Sequence, residues 1–534
     1  MRLPAERLQK HYLPVLILLS ILILTAGLNG YSLRGSTEPR EAGVAAHMLQ
    51  ESQYVLPSLN GRPFLEKPPL SYWLQDAAIS LFGYKPAAAR LPSVGAALLC
   101  LVMVFFRVKK LCGRAESAFF SAMLLLTMAS FWMNARTAGQ DALLACGVAL
   151  TLLSFNAARS QARNSWAWLG YAIGIAVSTL SKGVIGLAVP GIVILSFLLI
   201  ETFAIERRFI LGNWLRPAMY ATAGLVPLAL WLYMLAQHNG SAAVRDILWS
   251  NSIERFSGDY AFGSHAEPFY YYLKKLPETF APWNMLVFFS VWQLRGQWRD
   301  KNVLFFICWL LAPYVLLSLS AGKRPPYLLM LYPSAAVLVA LFFDQVWSNR
   351  VVTKSLRIAL LIQVFLLFAV SVFLIAHAWK LHVRGAALSL LLALVIALVV
   401  ARHEWLNRAW SRLVVCVFLL VILCYITLGT VLLKHDSKRE SLAAIFLQMQ
   451  TLEQQGHSLL LFKPIERIEG ATNFYLGHSL PEVEDSQELQ NKLNASKSVV
   501  ALVAMSDVGQ VRDYRVIADY VEEKRKYLLI SGAR

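Results

Sequence analysis

Charge is scarce in this sequence, cysteine is scarcer, and neither is spread evenly. Only 15% of the 534 residues are charged and six are cysteine. Cys100, Cys112, Cys146, Cys308, Cys416 and Cys424 fall inside apolar runs or at their basic ends. The polar loops and the tail hold none, which excludes a disulfide framework and a Cys/His metal spacing. A glycine-rich phosphate loop is missing too, so ATP and dinucleotides have no recognisable docking site. No ionisable residue lies deep within an apolar run and no paired repeats are visible, two absences that count against a transporter or flippase.

What the chain has in abundance is apolar sequence. Hydrophobic residues make up 57% of it, in recurring runs of about 20, the pattern of a polytopic helical membrane protein. About 13 spans are expected, at 12–31, 87–106, 115–133, 142–158, 165–180, 184–203, 217–236, 283–294, 303–319, 327–344, 358–376, 385–401 and 413–433. The first is longer than a signal-peptide core and lacks a small-residue cleavage site, so it reads as a retained helix. Alternate connectors carry Arg2, Arg7 and Lys10, then Arg107, Lys109, Lys110 and Arg114, then Arg159 and Arg163, and so on through Arg402, Arg408 and Arg412. The positive-inside rule makes that face cytoplasmic. Much of the net charge of +18 is therefore topogenic, and no nucleic-acid partner is called for. An odd number of spans puts the C-terminus on the opposite face.

That opposite face receives the unusual loops: 32–86, the turn before Asp141, Ser181-Lys182-Gly183, 237–282, and Gly322-Lys323-Arg324-Pro325-Pro326-Tyr327. Charges that orientation does not require gather there, as in a polar reaction chamber. Lys67, Arg255, Lys323 and Arg324 offer positive charge to an anionic leaving group such as a lipid phosphate, and Tyr327 offers a hydrogen-bond donor. Glu38 and Asp141 are candidate catalytic carboxylates, needed as a base only where the acceptor is a hydroxyl. Glu66 and His265 offer an oxygen and a nitrogen ligand to a divalent cation, whether zinc, magnesium or manganese. Simpler readings compete: Lys67 pairing with Glu66, Asp141 capping a helix, Lys182 and Lys323 binding lipid headgroups, and Tyr270 to Tyr272 forming an aromatic belt. From about His435 the composition changes to a small α/β pattern, with strands expected at 459–462, 499–503 and 527–530 and no catalytic constellation. Scaffolding or substrate gating is the role expected of it.

The order Glu38-Pro39-Arg40 with Ala42, Phe64-Leu65-Glu66-Lys67-Pro68 followed by Tyr72-Trp73, and Ala135-Arg136 with Asp141 resembles the bacterial lipid A aminoarabinose transferases. These belong to the protein O-mannosyltransferase-like, polyprenyl-phosphate-dependent glycosyltransferases. The likeness continues through Ser181-Lys182-Gly183, Ala188-Val189-Pro190, Ile253-Glu254-Arg255-Phe256, His265 with Pro268 to Tyr271, Pro282-Trp283, and Gly322-Lys323 with Pro326-Tyr327. It implies a mainly α, GT-C membrane domain over 1–434, with two juxtamembrane helices near 39–50 and 70–82, and a periplasmic α/β domain over 435–534. It implies a cavity in which Lys67, Arg255 and Tyr327, with Lys323, hold the donor phosphate, and a metal at Glu66 and His265. The partners implied are a polyprenyl-phosphate sugar donor, lipid A or another envelope acceptor, and membrane lipids, with no nucleotide cofactor. The implied location is a bacterial inner membrane, with the N-terminus cytoplasmic and the site periplasmic.

The sequence departs from the family in two places. Where the family carries an Asp-Glu pair, this chain has Thr37-Glu38, and its Trp-Val-Glu-His pattern is here Trp249-Ser250-Asn251-Ser252. A phosphate acceptor, already ionised, needs no base and tolerates the first change; another sugar or a hydroxyl acceptor is the alternative, and a transporter is the alternative of another class.

Overall fold

Backbone in a bilayer must satisfy its own polar groups, and these apolar runs do so as helices. The computed structural model describes residues 11–160, 165–257, 267–349, 354–406, 410–435, 442–496, 498–522 and 525–532. Among the described residues nine helices are long and apolar enough to cross a membrane: Pro86–Cys112, Asp141–Ser160, Ile185–Glu206, Leu211–Asn251, Lys301–Leu319, Pro325–Val346, Leu356–Lys380, Arg384–Trp405 and Val415–His435. The pair Ala115–Leu126 and Ala129–Ala135, bent by 71°, makes a tenth if it is one span. The expected count of 13 is not reached. The first run yields only the 14-residue helix Tyr12–Thr25 and the eighth only the 11-residue helix Asn284–Leu294, both short of the roughly 20 residues that a bilayer core requires. Ser165–Lys182 has the length but is diluted by Trp, Gly, Ser and Thr. Phe365, Phe373, Leu392 and Val399 are exposed, as a lipid-facing surface requires.

Two helices are drawn together by small residues. Asp141–Ser160 and Ser165–Lys182 form a hairpin so close that a Cβ on Gly147 would lie 2.6 Å from the backbone nitrogen of Ser178. Gly at such a crossing lets backbones meet. The consequence is positional: the first residue of one helix, Asp141, lies beside the last residue of the other, Lys182.

The first loop forms two helices, Thr37–Glu51 and Leu70–Phe82. Between them a two-stranded hairpin, β1 (Ser58–Leu59) with β2 (Arg62–Pro63), turns on Asn60-Gly61 with φ of 47° and 80°, the left-handed pair that a tight hairpin needs. Arg90, fully buried on Pro86–Cys112, fastens this loop to the membrane helices. Its guanidinium grips Glu38 with two bonds, Nε to Oε1 at 2.8 Å and Nη2 to Oε2 at 2.7 Å. It also donates to the carbonyls of Leu28, Tyr31 and Ser32 and stacks 3.9 Å from the Tyr31 ring centroid. Glu38 in turn accepts from the backbone amides of Arg34 and Ala138, each at 2.8 Å.

The tail is a five-stranded sheet in the order β4-β3-β5-β7-β6, with β3 Ser458–Phe462, β4 Glu482–Val483, β5 Val499–Ala504, β6 Tyr514–Glu522 and β7 Arg525–Gly532. β3 runs parallel to β4 and β5, while β7 is antiparallel to β5 and β6. Successive residues of β3 serve opposite cores: Leu459 and Leu461 pack with Ile445, Phe446 and Ile468, and Leu460 and Phe462 with Leu489 and Leu493. Period-2 alternation makes a strand covered on both faces read as one apolar run, which is why three strands were legible. β4, two residues long, and the half-exposed β6 escaped.

The tail is not a free appendage. Its helix Glu466–Leu476 crosses Thr37–Glu51 at Gly470 over Gly43, where a Cβ on Gly470 would lie 2.7 Å from the Arg40 Cα. Around that crossing Arg40 pairs with Glu466 at 3.0 Å, Gln50 donates to the Asn473 carbonyl at 3.0 Å, and the Leu33 amide donates to the Tyr475 hydroxyl at 3.0 Å. Farther along, Asn60 exchanges two bonds with the backbone of Leu480, and Arg62 pairs with Glu482 at 2.6 Å.

Two outcomes are expected. Arg90→Met leaves Glu38 buried without its cation and costs about 3–5 kcal/mol, read as a large fall in the thermal unfolding temperature in detergent; a neutral result would remove the clamp from the fold. Gly470→Leu overpacks the crossing and costs about 1–3 kcal/mol, with the tail becoming sensitive to limited proteolysis while the membrane helices stay intact.

Candidate active site

Pro68 and Pro69, which fix φ and donate no backbone bond, lead the chain from Lys67 into the helix Leu70–Phe82, with Pro69 already in the helical region at φ −86°. This turn presents Glu66 and Lys67 to a cavity of about 210 Å³ lined also by Lys182, Tyr327, Asn251, Ser320 and Gly322. The rest of the lining is largely apolar, with Val184, Ile185, Ala188, Leu316 and Leu317 among it. Lys67 is nearly buried, with 10% of its side chain exposed, and its Nζ lies 3.9 Å from the Glu66 carboxylate and donates to the Glu66 carbonyl at 3.0 Å. Lys182 reaches the cavity from the end of the helical hairpin, paired with Asp141. Its Nζ sits 4.3 Å from the Tyr327 ring centroid, within cation–π distance. Tyr327 comes from the 3₁₀ turn Pro325–Leu331, opened by Pro325-Pro326.

Behind Glu66 lies a charge network. Arg40 contacts Glu66 at 3.4 Å, Glu41 at 3.2 Å and Glu466 at 3.0 Å. Glu41 is fully buried and also accepts from Gln140. Burial pushes the Glu41 carboxyl above its ordinary range; Arg40 pulls it back and Glu66 pushes it up again. For Arg40, burial works against the charge, but Glu41, Glu66 and Glu466 together outweigh it and hold the guanidinium firmly protonated. Tyr72, buried beside Glu41, stays neutral because burial and that carboxylate both raise its pKa.

The sequence-derived candidates thus separate. Glu66, Lys67 and Tyr327 line one cavity, and Asp141 stands one ion pair away through Lys182. Lys323 turns instead into its own loop, donating to the carbonyls of Glu267, at 2.7 Å, and Ser320. Burial lowers its pKa, and its role is to shape the turn from which Ser320 and Gly322 reach the cavity. Arg324 donates to the Thr37 hydroxyl at 3.2 Å. Glu38 needs correction: both its oxygens are occupied by Arg90 and two backbone amides, so it braces the loop and has no lone pair directed at the cavity. His265 and the Arg255 side chain lie outside the described residues. Glu66, the described half of the expected metal pair, lies 3.4 Å from the Arg40 guanidinium and 3.9 Å from the Lys67 amine. Among the described residues no group of three His, Cys, Asp or Glu side chains could hold a metal ion.

In the sequence Arg40 stood out only within the motif Glu38-Pro39-Arg40, and Glu41 was not singled out. Thr37 and Glu41, one helical turn apart, share a face, which was a usable signal; nothing in the sequence pointed to Gln140 as the partner of Glu41.

Residues 66–234 match the family described as dolichyl-phosphate-mannose-protein mannosyltransferase. The undecaprenyl phosphate-alpha-4-amino-4-deoxy-L-arabinose arabinosyl transferase of Erwinia tasmaniensis is 28% identical over 355 residues, 64% of this chain and 61% of that protein. A second such transferase from Proteus mirabilis is 27% identical over 66% of this chain and 63% of its own length. The match therefore spans a little over three fifths of these relatives. The crystal structure of ArnT from Cupriavidus metallidurans bound to undecaprenyl phosphate superposes with a TM-score of 0.77 at 19% identity, covering 98% of this chain and 100% of that one, which shows a shared fold across membrane helices and tail. The chain is an integral membrane protein with the GT-C fold, a homologue of the bacterial undecaprenyl phosphate-aminoarabinose transferases.

Proposed function

We propose that this protein is a glycosyltransferase that moves 4-amino-4-deoxy-L-arabinose from undecaprenyl phosphate to a phosphate of lipid A at the periplasmic face of the inner membrane, with its N-terminus in the cytoplasm. The observation that carries this reading is the convergence of Lys67 and Lys182 on a cavity whose remaining walls are largely apolar. A polyprenyl phosphate has that shape, an anionic head on an apolar chain. The relatives named above are transferases of that donor sugar.

The chemistry follows from charge. An acceptor oxygen forms a bond to C1 of the sugar as the bond from C1 to the donor phosphate oxygen breaks, and negative charge grows on the departing lipid phosphate. Lys67 and Lys182 stand where they stabilise that charge, in a partly water-excluded site where such contacts are worth more than in bulk solvent. Tyr327, against Lys182, supplies a hydroxyl for the same phosphate, and Arg255 is assigned to the donor on the family pattern alone. Glu66 and Arg40 fix the position of Lys67. A lipid A phosphate is already ionised and attacks without a base. A sugar or lipid hydroxyl would need one, and Asp141 is the carboxylate placed to serve.

Lys67→Ala is expected to lower transfer by about 100-fold or more while the protein still purifies from membranes as a folded monodisperse species; near-normal turnover would take Lys67 out of the donor site. Asp141→Asn separates the acceptors. Transfer to lipid A within a few fold of wild type supports the phosphate acceptor, whereas a loss of about 100-fold or more, with donor binding kept, points to a hydroxyl. Mass spectrometry of lipid A from cells with and without the gene reads the product directly, as gain or loss of one amino-pentose.

A further inference from the structure

Outside the membrane domain the tail contains a second cavity, and at about 480 Å³ it is the larger of the two. It opens at the carboxyl ends of the parallel strands β3 and β5. The chain leaves β3 toward β4 on one side, while β5 lies on the other. In open α/β sheets this reversal of strand order parts the loops above the strand ends and leaves a crevice for a ligand. Its volume falls in the range of roughly 300–1,000 Å³ that small-molecule sites occupy.

The lining is cationic. Lys463, Arg525 and Lys526 contribute to it, with Ser506 and Asp507. Lys526 is paired with Asp519 at 2.8 Å, but the other two have neutral partners: Lys463 donates to the Gln510 side chain at 2.8 Å, and Arg525 bonds the Tyr527 hydroxyl. Lys463 adopts a left-handed backbone with φ of 44° directly before Pro464, a conformation that costs free energy for a residue with a side chain and that collects at ligand sites. Among the described residues neither of these two cations has a carboxylate partner, which suits a phosphate group, and Ser506 and Asp507 suit hydroxyls. The cavity is much larger than a phosphate alone needs.

We propose that this crevice, formed by the carboxyl ends of β3 and β5 with Lys463 and Arg525, is a binding site for a phosphorylated saccharide. It is separate from the membrane cavity and does not depend on the transfer proposed above. The helix Glu466–Leu476 begins at its edge, with Ile465 and Ile468 in the lining, and runs from there onto Thr37–Glu51. A ligand in the crevice therefore touches the same rigid element whose Glu466 holds Arg40.

The test is binding of glucosamine 1-phosphate to the full-length protein in detergent, followed by calorimetry or saturation-transfer NMR. The expected result is saturable binding that weakens at least about 10-fold in Lys463→Ala/Arg525→Ala. It should be lost in Ser506→Trp, a substitution at an exposed rim position that fills the crevice without touching the core, with thermal unfolding unchanged in the latter. Competition by nanodiscs containing lipid A assigns the ligand to a lipid headgroup, and lack of competition to a soluble sugar phosphate; either supports the site. Absent binding, binding unaffected by both variants, or inorganic phosphate binding as tightly as the sugar phosphate would overturn it. Because the readout is binding, failure of the transfer assignment and failure of this site are distinguished.

Discussion

The arrangement around the first loop depends on one buried ion pair, Arg90 with Glu38. A guanidinium and a carboxylate removed from water are stable only when geometry is good and the remaining hydrogen-bonding capacity is filled. Here it is: the fork meets the carboxylate with two bonds, three carbonyls take further guanidinium hydrogens, and two amides complete the carboxylate. The pair joins three stretches that are distant in sequence: residues 28–38, the membrane helix bearing Arg90, and the turn before Asp141. Without it neither Arg40 nor Asp141 has a fixed position relative to the cavity.

From that anchor a second layer of charge runs from the tail to the cavity. Glu466 holds Arg40, Arg40 holds Glu41 and Glu66, and Glu66 lies beside Lys67. In a low-dielectric setting such a chain is stiff, since moving one member leaves another without compensation. The close Gly43–Gly470 crossing makes it possible, because only there can the two helices approach near enough for Glu466 to reach Arg40. The tail thus packs against the first loop and closes this chain of charge.

How much of the site could be read in advance follows the range of each interaction. Lys67 before two prolines, and Tyr327 after two, are local motifs, and the residues around them are placed by their own backbone. Glu38 was a catalytic candidate because a carboxylate in a polar loop looks the same in sequence whether it faces a substrate or, as here, an arginine fifty-two residues away. The sequence likewise does not show that the Lys323 amine donates to the carbonyls of Ser320 and of Glu267, which lies in another loop. The span count differs between the two readings because hydropathy measures composition over a window, while helices are counted by length. Among the described residues the helices near residue 12 and residue 284 are 14 and 11 residues long.

Apolar periodicity and the change of composition near residue 435 settled by themselves that this is a helical membrane protein with an α/β tail. Each of those signals is local, or a sum of local terms. Tertiary structure alone decided which charges meet: that Lys182 joins Asp141, that Arg40 gathers three carboxylates, that Glu38 is spent on Arg90, and that β3 and β5 part to leave a cationic crevice. Electrostatic pairing is set by distance in space, and the chain reaches those distances only after helices have packed at their glycines and strands have taken their order.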